Sequence, residues 1–291
     1  MLFFEDYEML SGIANKLKPL FDRNARMRSR ARKLRRAFLK DPALLDLASK
    51  AQNFLQSFGD QNIPILVICY NNGIYVENMA NQLRQLNQNP LIIDNNSDDA
   101  STLQTLGRLE QNGVATVIYS TKNFGHMVGF QDPIYNVLPD VFAYTDPDLQ
   151  FNPNMPPGFL DTLSDLTAQF SVYKAGLALQ LPEGLETIDA SFVRRWTYPF
   201  EGRRTYSIRS HEERFWRFKL EHATLDLWHA EIDTTFAVYN KKHFHGKFLE
   251  AIRIGGLYGC IHLPWFPQLD LFSPEQKKTY LKGNLSTTCV K

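Results

Sequence analysis

Cysteine is scarce in this chain, with three in 291 residues, Cys69, Cys260 and Cys289, far apart and odd in number. Such a set argues against a disulfide framework and for a reducing compartment. No stretch reaches the ~18 consecutive apolar residues needed to span a bilayer. The opening Met-Leu-Phe-Phe-Glu-Asp turns acidic too soon for a secretory leader. The expectation is therefore a cytoplasmic protein. Internal repeats and low-complexity tracts are absent. Neither G-x-G-x-x-G nor G-x-x-x-x-G-K-[ST] follows the first strand-like run, so dinucleotide-binding and P-loop readings lose support.

Net charge is also small, +1 overall, but it is unevenly spread. Residues 16–40 hold eleven Lys or Arg and one acid, Asp22, a net +10 that leaves −9 for the rest. Within 23–40, Met27, Ala31, Leu34 and Phe38 form one helical stripe and basic residues cover the other faces. That pattern suits a helix lying on an anionic membrane surface, on the inner face of a membrane. It equally suits a helix whose stripe packs on the rest of the fold. Nucleic acid is not an expected partner, because the remaining chain is acidic.

Apolar residues make up 44% of the chain, normal for a globular protein, and aromatics 13%, which is high. Residues 1–58 read as helical, with Asp41-Pro42 as a helix start. From residue 63 the pattern alternates. Strands are expected at 63–70, 90–95, 114–119 and 141–145, and helices at 74–86 and 100–111, with a loop and helix over 125–138. Such alternation implies an α/β fold with a mostly parallel sheet. Ligands of such sheets bind beyond the carboxyl ends of the strands. All four strands place polar residues there: Tyr70-Asn71-Asn72, Asp94-Asn95-Asn96, Ser120-Thr121-Lys122-Asn123 and Asp146-Pro147-Asp148. Asp146 and Asp148, two residues apart in extended chain, share a side and can reach one cation. Carboxylates there suit Mg²⁺ or Mn²⁺ shared with a phosphate. A solvated turn after a strand has the same sequence.

VICYNN at 67–72, LIIDNNSDD at 91–99, STKNFGHMVGFQ at 120–131 and YTDPDLQF at 144–151 resemble, in order and spacing, the nucleotide-binding half of a family-2-type nucleotide-sugar glycosyltransferase of the GT-A fold. The resemblance is close over 63–165 and looser to about residue 267. It implies a Rossmann-like mixed, mostly parallel sheet flanked by helices. A basic N-terminal helical extension (1–60) would precede a nucleotide-sugar half (61–165) and an acceptor half with the C-terminal region (166–291). It also implies a metal-dependent, inverting transfer from a nucleoside-diphosphate donor, a UDP-sugar first, to a hydroxyl of a glycan or lipid-linked glycan. Asp94 matches the acid at the nucleobase. Tyr70, Asn71, Asn72 and Asn96 match the loops beside base and ribose. Asn123 and Gly125 match the Asn-x-Gly turn near the sugar. Asp146 and Asp148 match the D-x-D that holds Mn²⁺ or Mg²⁺ on the diphosphate, and His262 matches an extra metal ligand of several GT-A enzymes.

Lys174–Leu181 (KAGLALQL) and Ile232–Asn240 (IDTTFAVYN) read as two more strands. The resemblance implies an Asp or Glu general base at the start of the second of these, with Asp233 the first candidate and Glu231 the second; a strand-capping role for Asp233 stays open. Trp265 can stack on a sugar or fill the core. Trp196, Tyr198 and Trp216, among Arg194, Arg195, Arg203, Arg204 and Arg209, suit an acceptor with hydroxyls and an anionic group, or an ordinary amphipathic surface. The Arg-rich stretch 182–213 is the candidate lid. His243 and His245 have no nearby Cys or acid to complete a zinc set and read as surface or fold residues. The rival functions are a nucleotidyltransferase and a non-catalytic carbohydrate-binding protein on a GT-A scaffold.

Overall fold

The structure is a computed structural model that describes residues 41–59, 62–196 and 202–283. The basic stretch 23–40, Tyr198 and Cys289 lie outside the described residues. The first described element is helix α1 (Pro42–Phe58), with Pro42 in its first turn and Asp41 accepting from the Ala43 amide at 3.0 Å. An Asp cap and a leading Pro together satisfy and omit donors that a helix start otherwise leaves unpaired.

Alternating strands and helices follow: β1 (Ile65–Cys69), α2 (Gly73–Gln85), β2 (Leu91–Asp94), α3 (Ala100–Gln111), β3 (Thr116–Tyr119), α4 (Asp132–Val137) and β4 (Val141–Thr145). Every residue of β1 is buried, because the strand is covered on both faces. Its Ile65, Val67 and Cys69 pack with Val76, Met79 and Leu83 of α2 on one face. Leu66 and Ile68 pack with Leu44, Leu47 and Ala51 of α1 on the other. A continuous apolar run is what a strand between two helical layers requires. Each such side chain contributes roughly 1.5–3 kcal/mol when fully buried.

The second half adds β5 (Leu149–Phe151), α5 (Phe159–Gln169), β6 (Lys174–Leu177), β7 (Ser191–Trp196), β8 (Gly202–Ser207), α6 (Ile208–Glu212), β9 (Lys219–Leu220), β10 (Leu227–Glu231), β11 (Ala237–Asn240), β12 (Glu250–Ile254), β13 (Cys260–His262) and α7 (Pro274–Gly283). Nine strands form one sheet in the order β3-β2-β1-β4-β11-β6-β12-β10-β9. Neighbours β3, β2, β1 and β4 are parallel, as are β6 and β12. Only β11 and β10 run against the other seven of the nine strands. The sheet is therefore mixed and mostly parallel in strand direction, with helices on both faces. No helix among the described residues is long and apolar enough to cross a membrane.

Two expectations are corrected. Ile232–Asn240 is not one strand: β10 ends at Glu231, residues 233–236 bend, and only Ala237–Asn240 pairs. Ile232, Thr234 and Phe236 are all buried, so the bend mimics strand alternation. Lys174–Leu181 pairs in the main sheet only to Leu177; Leu179 then bridges to Cys260. The stretch 182–213 contains an antiparallel hairpin, β7 with β8, followed by α6.

Candidate active site

The parallel strands end along one edge, and the loops there are tied together by their own polar residues. Asn71, with φ of 50°, is nearly buried. Its Nδ2 donates to Asp98 at 2.6 Å, and its Oδ1 accepts from the amides of Asp98 and Asp99, both at 3.0 Å. Asn72 accepts from the Tyr70 amide at 3.1 Å. Asp94, 2% exposed, accepts from the hydroxyl and the amide of Ser97, the capping arrangement of an Asx turn. Burial pushes its carboxyl up in pKa, and the Ser97 bonds offset part of that. Asn96 is exposed in the left-handed region, with φ of 67°. Its neighbour Asn95 is the buried one: Nδ2 donates to Gly125 O at 2.8 Å and Oδ1 accepts from Phe124 N at 2.9 Å. Asn123 accepts from the Gly125 amide at 2.8 Å, and Gly125 has φ of 80°, which favours glycine.

A shallow cleft opens at the β1 and β2 ends, lined by Asn71, Gly73, Ile74, Asp99, Ser101, Thr102, Phe272 and Gln276. The C-terminal segment forms its far wall. Tyr75 of α2 donates to Asp270, Lys277 pairs with Asp270 at 2.6 Å, and Phe272 meets the Tyr75 ring edge-on at 4.7 Å. Nothing in the local sequence around 270–277 signals this wall.

Asp146 and Asp148 lie in the bend between β4 and β5, flanking Pro147. A short antiparallel ladder of β5 with β13 sets His262 opposite Leu149. The Leu263 amide donates to Asp148 O at 3.0 Å. His262 Nε2 thereby stands 3.3 Å from Asp148 Oδ2. Asp146 turns to the 233–236 bend instead: Thr234 Oγ1 donates to its Oδ2, and its amide donates to Thr234 O at 3.1 Å. Thr234 is a contact that sequence reasoning missed, because no local signal around residue 234 points to Asp146.

The electrostatics follow from crowding acids in a partly buried corner. Burial pushes the Asp146 carboxyl up to about 8; the Asp148 charge adds to this and the Thr234 hydroxyl opposes it. Burial acts on Asp148 in the same direction, but the charge and hydrogen bond of His262 outweigh it and hold that carboxyl below the ordinary range. Burial also opposes the charged form of His262, yet Asp148, Asp146 and Glu212 together hold its imidazole above the usual value.

Three buried polar atoms have no hydrogen-bond partner among the described residues: Asp148 Oδ1, His262 Nδ1 and Trp265 Nε1. Two of them belong to the D-x-D and His262. Cis ligands on an octahedral Mg²⁺, at about 2.1 Å each, stand about 3.0 Å apart. The 3.3 Å between Asp148 and His262 is close to that spacing. Among the described residues no three His, Cys, Asp or Glu side chains gather into a ready cation cage. The residues fit an ion that takes one or two protein ligands and the rest from phosphate and water, the usual manner of Mg²⁺.

Asp233 is exposed in the bend, and Glu231 is exposed at the end of β10. Trp265 is 4% exposed, its ring 4.6 Å from His262 and 6.2 Å from Phe192, so it backs His262 as core rather than offering a face to a sugar. Trp216 packs edge-on against Trp228 at 4.5 Å.

The family model for glycosyl transferase family 2 matches residues 65–245. Among solved structures, GalNAc-T7 with UDP, GalNAc and Mn²⁺ is similar at 11% identity over 77% of this chain and 48% of that one, TM-score 0.46. The mannosyltransferase PcManGT from Pyrobaculum calidifontis, in complex with GDP-Man and Mn²⁺, is 16% identical over 47% and 44%, TM-score 0.34. S. aureus TarS 1-349 is 12% identical over 62% and 47%, TM-score 0.37. The chain spans under half the length of each of these three. No curated protein sequence matches it. The family match covers more than half the chain and contains the strand-end loops, the D-x-D bend and the Asp233 bend, and the chain is a member of glycosyl transferase family 2.

Proposed function

We propose that this protein transfers a sugar from a nucleoside diphosphate, with uridine the first candidate base, to a hydroxyl of a glycan or lipid-linked glycan. The observation that carries this reading is the Asp148–His262 pair, with unpartnered buried atoms on both side chains, at the carboxyl edge of the parallel strands. Asp148 and His262, with Asp146 beside them, would hold Mn²⁺ or Mg²⁺. When bound, the ion supplies neutralising charge to the departing diphosphate.

The protein's own groups divide the remaining work. Asp94 and the Asn71 loop, preset by Ser97, Asp98 and Asp99, receive the base and ribose. Asn123 and Gly125 border the sugar. Asp233 accepts the proton of the attacking hydroxyl at its exposed carboxylate, and a single displacement inverts the anomeric carbon. Glu231 is the second candidate for this step. Thr234 ties the Asp233 bend to Asp146, so the base and the donor site keep one spacing. A cytoplasmic enzyme resting on the inner membrane face, with residues 23–40 as its contact, fits a lipid-linked acceptor.

Calorimetric titration with nucleoside diphosphates and nucleotide sugars, with and without Mn²⁺, tests the donor. Expected is one preferred base whose affinity requires the ion. Binding of nucleotides without any effect of Mn²⁺ would sink the metal assignment. Donor hydrolysis or transfer separates an enzyme from a carbohydrate-binding scaffold, and release of pyrophosphate from a nucleoside triphosphate would mark a nucleotidyltransferase. Asp233→Asn should lower turnover about 10²–10⁴-fold while sparing donor affinity; the opposite pattern moves the base to Glu231.

A further inference from the structure

The sheet holds the segment 231–234 only through Glu231, paired with Glu250, and the Ile232 amide, which donates to Leu249 O at 2.9 Å, yet the carbonyls of all four residues are engaged. Arg253 Nε donates to Glu231 O at 2.9 Å. Lys174 Nζ donates to Ile232 O at 2.6 Å and to Asp233 O at 3.1 Å. Thr234 O takes the Asp146 amide at 3.1 Å. Two buried basic side chains from neighbouring strands, β6 and β12, thus grip three consecutive residues of the segment that carries both base candidates.

Lys174 is 0% exposed, and no carboxylate among the described residues lies within ion-pair distance of it. Its ammonium sits 3.9 Å from the Phe248 ring centroid and 5.2 Å from that of Tyr239. Burying an ammonium is strongly unfavourable unless its donors are satisfied. A methionine would fill such an aromatic-lined slot without that penalty. What the lysine adds is two donors directly behind Asp233, on an amine whose pKa burial lowers to about 7. Arg253 is different: its guanidinium is neutralised by buried Glu212 and covered by Phe215 at 4.2 Å, leaving Nε aimed at Glu231 O.

We propose that Lys174 and Arg253 are positioning residues for the reaction, buried basic side chains whose donors fix the 231–233 backbone and so hold Asp233 at a set distance from the Asp146–Asp148 corner. Neither touches substrate. The catalytic part of this role rests on the reading of Asp233 as the base; the mechanical part does not.

Lys174→Met is the direct test, with Asp233→Asn and the double variant beside it. Amide hydrogen exchange should rise in the 231–236 segment and stay unchanged in the β1–β4 strands. Turnover should fall about 10- to 100-fold, the scale of an ångström of misplacement, with donor affinity unchanged. The double variant should be no slower than Asp233→Asn alone, because both changes act on one group. Unchanged exchange in 231–236, or a double variant that multiplies the two losses, would overturn the proposal. If Lys174→Met does not fold, Lys174→Leu, smaller and equally without donors, is measured in its place and must show the same pattern; wild-type exchange and turnover in it would overturn the proposal. Full activity of Asp233→Asn would remove the base assignment, while the exchange result would still decide whether Lys174 holds the bend.

Discussion

Asp146→Asn should make the metal-free protein more stable while it cripples transfer. Asp146 and Asp148 are separated by two residues of chain, roughly 6–7 Å. At an effective dielectric of about 20, two charges at that distance repel by about 2–3 kcal/mol. Asparagine removes that repulsion and the need to desolvate a carboxylate, and its Oδ1 still accepts from Thr234. The sign with pH is fixed by the raised carboxyl. An unfolded aspartate ionises near 3.9, whereas Asp146 in the fold does so at about 8. Between those values the folded state holds the extra proton, so the wild type loses stability as pH rises. The advantage of the variant is therefore nil near pH 4, grows through the window and is complete above pH 8. For a domain of this size it should reach roughly 5 °C in Tm. Thermal unfolding in chelator at pH 5, 6.5 and 8 measures it. Saturating Mn²⁺ with nucleoside diphosphate should narrow the gap, since ligand stabilises the wild type more. A variant that melts below wild type at pH 8, or a difference flat with pH, would refute the reasoning.

Other perturbations reach different parts of the site. His262→Gln should weaken Mn²⁺-dependent nucleotide binding by at least about tenfold and leave metal-free binding alone, as read by calorimetry. Ser97→Ala removes the hydroxyl that holds Asp94 and should lower nucleotide affinity by about 1 kcal/mol, measurable by fluorescence titration. Gly176→Ala places a Cβ 2.5 Å from the Phe236 carbonyl and 2.7 Å from Ala237 Cβ. It should cost about 1–3 kcal/mol in denaturant unfolding and slow turnover by shifting β11 and the bend before it.

Much of the stretch 61–165 was legible because its signals are local. The apolar run at 65–69 announces a strand covered on both faces, and its alternate residues do split between the two helical layers. Asp99 caps a helix at Ala100–Gln111, where the pattern predicts one. Residues 166–283 were harder to read. Alternation in Ile232–Asn240 is produced by a bend whose inward residues are held by side chains from β6 and β12, which no window around residue 233 contains. Asn95, rather than Asn96, faces inward because a left-handed residue reverses the chain there.

The sequence by itself determined the strand-end chemistry: which residues are polar at each carboxyl terminus, and the D-x-D among them. Only tertiary structure decided which of those groups meet. His262 reaches Asp148 through a three-residue ladder of β13 with β5, and Thr234 reaches Asp146 across the sheet, over 114 and 88 residues of chain. Propensity and periodicity act over a turn or a strand, whereas hydrogen bonds and charge act over ångströms between segments that only the folded core brings together.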